Sequence, residues 1–427
     1  MDVSDWDTGK VTDMYAMFYG CSGLTELDVS DWDTGNVTNM AFTFNACHGL
    51  TKLDVSNWDT GNVTTINSMF APANGKYMNL EELDVSDWDM GSVTKMNNMF
   101  AGCEDLTTLD VSNWDVSNVT DMSAAFLNCH SLTELNVSKW DVSNVTTMRS
   151  LFNSCVNLVE LDVSNWNVEK VTDFGSMFQG ESGNMKLTNL NVSKWNPVSA
   201  QKLNHMFWGC SQLTALDLSD WRMPNLVTSS HMFSDCHNLK TIDVSGWYTP
   251  SLYSMHAMFD DCYAVEFLNV SSFDTSNVKE FCEVFDECHS LAEIQGLRNW
   301  NTANGYSFDE MFDNCYALTA LDLSSFDTGN ARGGFRLEIN SFYPGNKTSL
   351  GFASMFGGLN SLVKLTLGEN FDFDGNGNVA EAYQVKLPAP NNAEGKWYDA
   401  DNGTVYAPSK IPEKTEATYV AVYPANP

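Results

Sequence analysis

One short phrase recurs along this chain and dictates its architecture. "LDVSDWDTGNVTNM" at 27–40 returns as "LDVSNWDTGNVTTI" at 53–66, "LDVSDWDMGSVTKM" at 83–96 and "LDVSNWDVSNVTDM" at 109–122. The aromatic of each copy marks the period: Trp6, Trp32, Trp58, Trp88, Trp114, Trp140, Trp166, Trp195, Trp221, Trp247, Phe273, Trp300 and Phe326. Successive steps are 26, 26, 30, 26, 26, 26, 29, 26, 26, 26, 27 and 26 residues, and a degenerate copy, "LTLGENFDF", reaches Phe371 after a further 45. A unit this short cannot bury its apolar face alone. A period held this tightly therefore implies a solenoid, in which each coil packs on its neighbours.

Two periodicities alternate within a copy. In "LTELDVS" the apolar Leu27 and Val29 stand two apart, the pattern of a short strand with Glu26, Asp28 and Ser30 facing outward. In "VTDMYAMFYGC" the residues Val11, Met14, Met17, Phe18 and Cys21 are spaced by three, three, one and three, which predicts a short helical turn. "DTGN" supplies the turn between them. The expected class is thus α/β: a leucine-rich-repeat-type solenoid with one short parallel strand and one helical turn per coil. Residues 1–371 form the solenoid. Residues 372–427 form a small β element, with a hairpin signature in "YDADNGTVY" and an alternating strand in "ATYVAVY".

The consensus "C-x-x-L-x-x-L-D-V-S-x-W-x-T-x-x-V-T-x-M-x-x-M-F" resembles the BspA-like bacterial surface-protein repeat, also described in mycoplasma lipoproteins. The resemblance extends over about residues 1–371, and the tail from "GKWYDADNG" resembles the closing segment of such proteins. It implies an exported, non-enzymatic cell-surface protein that contacts a host or neighbouring-cell protein or glycan. The alternative is a passive stalk that projects another domain. Met1 enters in the middle of the repeat, which reads as a fragment of a longer chain.

Charge narrows the partners. The chain carries 55 acids against 22 bases, a formal charge of −33, so phosphate backbones and anionic lipid surfaces are disfavoured. No apolar run reaches the length of a membrane span. Stacking also turns repeated residues into columns. The column that follows the first strand leucine reads Asp28, Asp54, Asp84, Asp110, Asn136, Asp162, Asn191, Asp217, Asp243, Asn269, Gln295 and Asp322. Carboxylates ~5 Å apart repel by roughly 0.8 kcal/mol in water. Asn substitutes freely there, so the shared task reads as an Asx hydrogen bond to a backbone N–H, with a cation-attracting surface as the alternative. The Trp column interchanges with Phe and reads as core.

Ten of the eleven cysteines share another column, from Cys21 to Cys315, and only Cys282 lies outside it. No C-x-x-C pair suggests zinc, and Leu359 fills the same slot in the last copy, so the cysteines read as small buried hydrophobes, with a ladder of disulfides between stacked coils as the alternative. Nothing in the sequence stands out as a nucleophile, phosphate loop or paired acid, and no cofactor is expected. One local match, "NFDFDGNGNVAE", places Asn370, Asp372, Asp374 and Glu381 at the spacing of a calcium loop, against the plainer reading of a connecting turn.

Binding residues are expected where the repeat is broken. The insertion "APANGKYMN" offers Tyr77, and "GGFRLEINSFYPGNKTSLGF" offers Phe335, Phe342 and Tyr343. Trp208 is a further candidate. Its slot elsewhere accepts Asp, Asn, Gln and Gly, beside Tyr19, Ala71, Ala101, Leu127 and Ser234, and that polar tolerance predicts a solvent-exposed indole free to meet a partner.

Overall fold

The structure is a computed structural model that describes residues 3–73, 76–180, 184–332, 354–375, 385–390 and 392–422. The chain divides into two compact units, Met1–Leu216 and Asp217–Pro427. Each is a stack of coils built on the repeat.

In the first unit the strand phase behaves as its alternation requires. Leu27 and Val29 are buried while Glu26 and Asp28 are exposed. Lys52–Leu53 pairs in parallel with Glu82–Leu83, one coil against the next.

The expected helical turn is not there. The complete helical segments among the described residues are two three-residue 3-10 turns, Leu297–Asn299 and Pro408–Lys410. The "VTDMYAMFYGC" phase is instead a ribbon of tight turns. The N–H groups of Met17, Tyr19 and Cys21 close three-residue turns on the carbonyls of Met14, Ala16 and Phe18. Those of Met14, Ala16, Phe18 and Gly20 reach the next coil, donating to Asn39, Ala41, Thr43 and Asn45 oxygens at 2.9, 3.0, 2.9 and 2.8 Å. A parallel ladder results, with bridges Asp13↔Asn39↔Thr65↔Lys95↔Asp121↔Thr147↔Asp173↔Lys202. A helix would have spent all its N–H groups within the coil, whereas this ribbon sends alternate ones across and welds the stack. It still turns Met14, Phe18 and their equivalents inward, which is why the spacing imitates a helix. The fold is accordingly a β-type solenoid of short strands and turns rather than α/β.

The core is made of continuous columns. Trp32, Trp58 and Trp88 stack at centroid distances of 6.2 and 6.4 Å, with their ring planes nearly parallel. Phe44 and Phe70 form a parallel stack at 5.7 Å. The buried indoles of the first unit also span two coils: Nε1 of Trp58, Trp88 and Trp114 donates to the strand-valine carbonyl of the coil before, Val29, Val55 and Val85, at 3.0 Å. A column that is apolar on its faces and hydrogen-bonded at its edge satisfies both demands of burial.

The second unit repeats this plan. Its ladder runs Thr228↔Ser254↔Glu280↔Ser307, and Phe267–Asn269 pairs in parallel with Glu293–Gln295. The 27-residue step arises at Gly296, where one residue is added and Leu297 is buried in the position of the strand valine. Gly296 has φ +101°, and a Cβ there would lie 2.3 Å from Ser271 Cα, so only glycine fits. The last sheet has five strands. Ala320–Leu323 pairs in parallel with Lys364–Leu367, onto which Ala417–Val420 adds antiparallel, followed by Trp397–Asp399 and Val405–Tyr406. The outer strands cover an edge that would otherwise remain open. Among the described residues no helix is long and apolar enough to cross a membrane.

Candidate binding surface

The strand face of the first unit is an open groove. Its floor is the row of strand leucines, Leu27, Leu53, Leu83, Leu109, Leu135 and Leu161, nearly buried beneath two outward columns. Those columns put nine carboxylates around the groove (Glu26, Asp28, Asp54, Glu82, Asp84, Asp110, Glu134, Glu160 and Asp162) and one cation, Lys52. Lys52 is bound to Glu82 at 3.0 Å.

The aspartates in this face have a local duty. Asp84 Oδ1 accepts the backbone N–H of Ser86 at 3.1 Å and its hydroxyl at 2.7 Å, and Asp28, Asp54 and Asp162 repeat the arrangement. Asn136 makes the same two bonds to Ser138, which is why Asn is tolerated. The Ser112 hydroxyl and N–H bonded to Asp110 hold its carboxyl below the usual range, and Ser164 does the same for Asp162. These turns fix the second oxygen of each carboxylate outward. Among the described residues the Glu column, Glu26, Glu82, Glu134 and Glu160, makes no such turn; its exposed carboxylates line the groove, with Glu82 paired to Lys52.

The residues singled out by sequence lie elsewhere. Tyr77 is exposed; its carbonyl meets His48 Nδ1 at 2.9 Å and its ring lies 6.4 Å from that of His130. Trp208 is half-buried, edge-on to His205 at 6.1 Å, and not open to solvent as expected. The inference failed because polar residues in that slot are themselves buried against the next coil. Asn45 donates to the Ser68 carbonyl at 3.1 Å, and the Ser234 hydroxyl to that of Ala257 at 3.0 Å. Phe335, Phe342, Tyr343 and Glu381 lie outside the described residues. Asp372 is buried, takes the Lys414 ammonium at 2.9 Å, and forms with Asp374 and Glu413 a set of carboxylates within 4.8 Å of one another. Glu283, Asp286 and Glu310 converge within the same distance in the second unit.

The cysteine column is buried, except for half-buried Cys21, and unpaired by disulfides. Cys129, Cys155 and Cys288 each point Sγ at the carbonyl of the preceding coil's phenylalanine, 3.2, 3.0 and 3.1 Å away. Burial pushes the thiols of Cys47 and Cys155 up to about 12. One pair escaped the sequence reading: Cys282 Sγ lies 2.9 Å from His256 Nδ1, both buried. The signal was present, since the two residues are 26 apart and so occupy one slot in consecutive coils. Burial raises the Cys282 thiol well above its ordinary value, opposite to what a nucleophile requires.

Four overlapping stretches, residues 1–86, 75–190, 159–266 and 253–337, match the family described as "Mycoplasma protein of unknown function, DUF285". The chain belongs to that family. No curated protein matches the sequence. Among solved structures, the chain is similar to a leucine-rich repeat protein from Bacteroides ovatus, at 15% identity and a TM-score of 0.35, over 86% of this chain and 82% of that one. It is also similar to the functional domain of InlJ from Listeria monocytogenes, which includes a cysteine ladder, at 15% identity and a TM-score of 0.24, over 90% and 77%. The likeness to TLR13 in its complex with ssRNA13 has 20% identity and a TM-score of 0.29; it covers 86% of this chain and spans half the length of that one.

Proposed function

We propose that this DUF285-family chain is a non-enzymatic, BspA-like surface binding protein, and that the groove on the strand face of its first unit receives a cationic segment of a host or neighbouring-cell protein. The observation that supports this reading is the ratio of nine carboxylates to one lysine around an open groove with an apolar floor. Serine-bonded aspartates supply fixed negative charge, the glutamates supply adaptable contacts, and the leucine row offers a shallow apolar track. Such a field raises association rates for a basic partner and rejects acidic ones.

An extracellular-matrix panel beside a glycan array, probed with wild-type protein and a Glu82→Lys/Glu134→Lys/Glu160→Lys variant, tests the reading. Saturable binding to a basic protein that weakens with salt and disappears in the variant supports it. Silence across both panels favours the passive stalk. Undiminished binding by the variant would move the site off the groove.

A further inference from the structure

Part of the cross-coil ladder has a direction, and it leaves a donor-lined cavity at the end of the second unit's stack. Some rows point their N–H groups back toward the preceding coil, as Lys279 does to Tyr253 and Tyr306 to Lys279, but the rows through the phenylalanine and pre-cysteine positions point theirs toward the following one. Two rows of peptide groups can be followed. One runs Phe233 N–H to Met258, Phe259 to Val284, Phe285 to Met311 and Phe312 to Met355, at 3.0–3.1 Å. The other runs Asp235 to Asp260, Asp261 to Asp286, Glu287 to Asp313 and Asn314 to Gly357, also at 3.0–3.1 Å. Peptide dipoles aligned head to tail polarise one another, so partial positive charge collects on the last N–H groups of each row. Those are the N–H groups of Phe356 and Gly358, and among the described residues no acceptor faces either. Gly358 holds φ +63°, the same left-handed slot as Gly20 and Asn314, which keeps its N–H in line with the row.

Both residues line one cavity, together with Leu359, Lys386, Pro388 and Asp313. Lys386 is its only ammonium. Pro388 is held in place by the Trp397 indole N–H, which donates to its carbonyl at 2.9 Å. The Asp313 carboxylate already accepts the N–H of Asn314 at 3.1 Å. Two parallel backbone donors, the positive end of a dipole row and one lysine are the elements of an oxyanion nest. We infer that this cavity binds a small oxyanion, a carboxylate or sulfate group, with its oxygens on the Phe356 and Gly358 N–H groups and its charge against Lys386. Leu359 and Pro388 admit a short apolar body behind the charged head. This site is independent of the strand-face groove in the first unit.

Amide NMR of the deuterated full chain, titrated with sodium sulfate and in parallel with sodium acetate at constant ionic strength, is the decisive measurement. At least one ion is expected to shift the Phe356 and Gly358 amide protons downfield with a common saturation curve. Lys386→Gln should weaken that binding by about tenfold, the scale of one charge-assisted contact. The exposed control Lys364→Gln should leave it unchanged. Shifts that never saturate, that spread over the surface, or that are identical in Lys386→Gln would overturn the inference. So would strong hydrogen-exchange protection of both amides in the absence of either ion.

Discussion

At the two full copies where phenylalanine replaces the stacked tryptophan, the residue before it is serine. Ser272 precedes Phe273 and its hydroxyl donates to the Val244 carbonyl at 3.3 Å; Ser325 precedes Phe326 and donates to Leu297 at 3.4 Å. These are the carbonyls an indole would have met. The structure therefore predicts that Trp114→Phe is partly rescued by Asn113→Ser. Trp114 is buried, stacks on Trp140 at 6.3 Å and donates to Val85 at 3.0 Å. The Val85 oxygen also accepts the Trp88 N–H at 3.2 Å, so losing the indole removes one of its two bonds and does not orphan it. The cost of that bond is about 1 kcal/mol, not the larger penalty of a bare carbonyl. Loss of the pyrrole edge adds roughly 1 kcal/mol in burial and packing. Asn113 is exposed, and Asn113→Ser alone should stay within about 0.5 kcal/mol of wild type. In the Trp114→Phe background it should return about 0.5–1 kcal/mol, an interaction that a double-mutant cycle isolates. Urea unfolding followed by intrinsic fluorescence across the four proteins gives the coupling. A coupling indistinguishable from zero would refute the idea that the serine hydroxyl stands in for the indole.

Further tests address separate links in the argument. The thiols of Cys47 and Cys155 are raised to about 12, so the folded state holds its protons longer than the unfolded one; stability is fully present below about pH 8.5 and is lost as pH climbs toward 12, by up to ~1.4 kcal/mol per unit for each thiol, readable as a falling urea midpoint between pH 8 and 10.5. Gly296→Ala, forced to φ +101° against Ser271, should lower stability by about 3 kcal/mol or more, and a loss below 1 kcal/mol would show that the added residue is slack. Asp84→Asn should preserve the Ser86 turn while Asp84→Ala costs about 1 kcal/mol; equal losses for both would assign the column to charge instead of geometry. Ser150→Gly should be neutral or stabilising, because Ser150 holds φ +56°, whereas in a helical turn the same change costs about 0.5 kcal/mol; a loss of that size would restore the helical reading.

That last residue shows what the sequence hides. The period, the strand leucines, the tryptophan core, the Asx column and the buried thiols are all properties of a side chain in a fixed environment, and each writes its own substitution pattern: Trp with Phe, Asp with Asn, Cys with Leu. The ribbon of turns is a backbone property. One of its two left-handed slots, occupied by Ala16, Phe42, Ser68, Asn98, Ala124 and their equivalents through Glu310, has φ between 50° and 59° without one glycine, and the other holds glycine only at Gly20, Gly102, Gly209 and Gly358. Glycine is the residue by which a sequence most plainly announces positive φ, so the first slot went unmarked, and the inward residues at three-residue steps passed for a helix. The expectation for Trp208 erred in a related way. Polar tolerance signals solvent only where no backbone acceptor waits, and coils ~4.8 Å apart supply such acceptors everywhere.

The same ribbon explains why the phrase must be repeated with so little drift. A non-glycine residue in the left-handed region costs roughly 1 kcal/mol, and the slot exacts it in every coil. The strain is offset because each such turn releases N–H groups for the neighbouring coil, four in the first copy alone. A coil that abandoned the turn would forfeit its own strain but would also strand the carbonyls of the next coil, a penalty of about 1–3 kcal/mol for each buried group. Local relief is thus smaller than the collective loss, and drift is opposed at every position that shapes the ribbon. Outward positions carry no such coupling. The strand-face residue before the leucine can be Glu26, Lys52, Glu82 or Thr108 in successive coils without touching the ladder, so the freedom to vary lies on the surface from which a partner would be read.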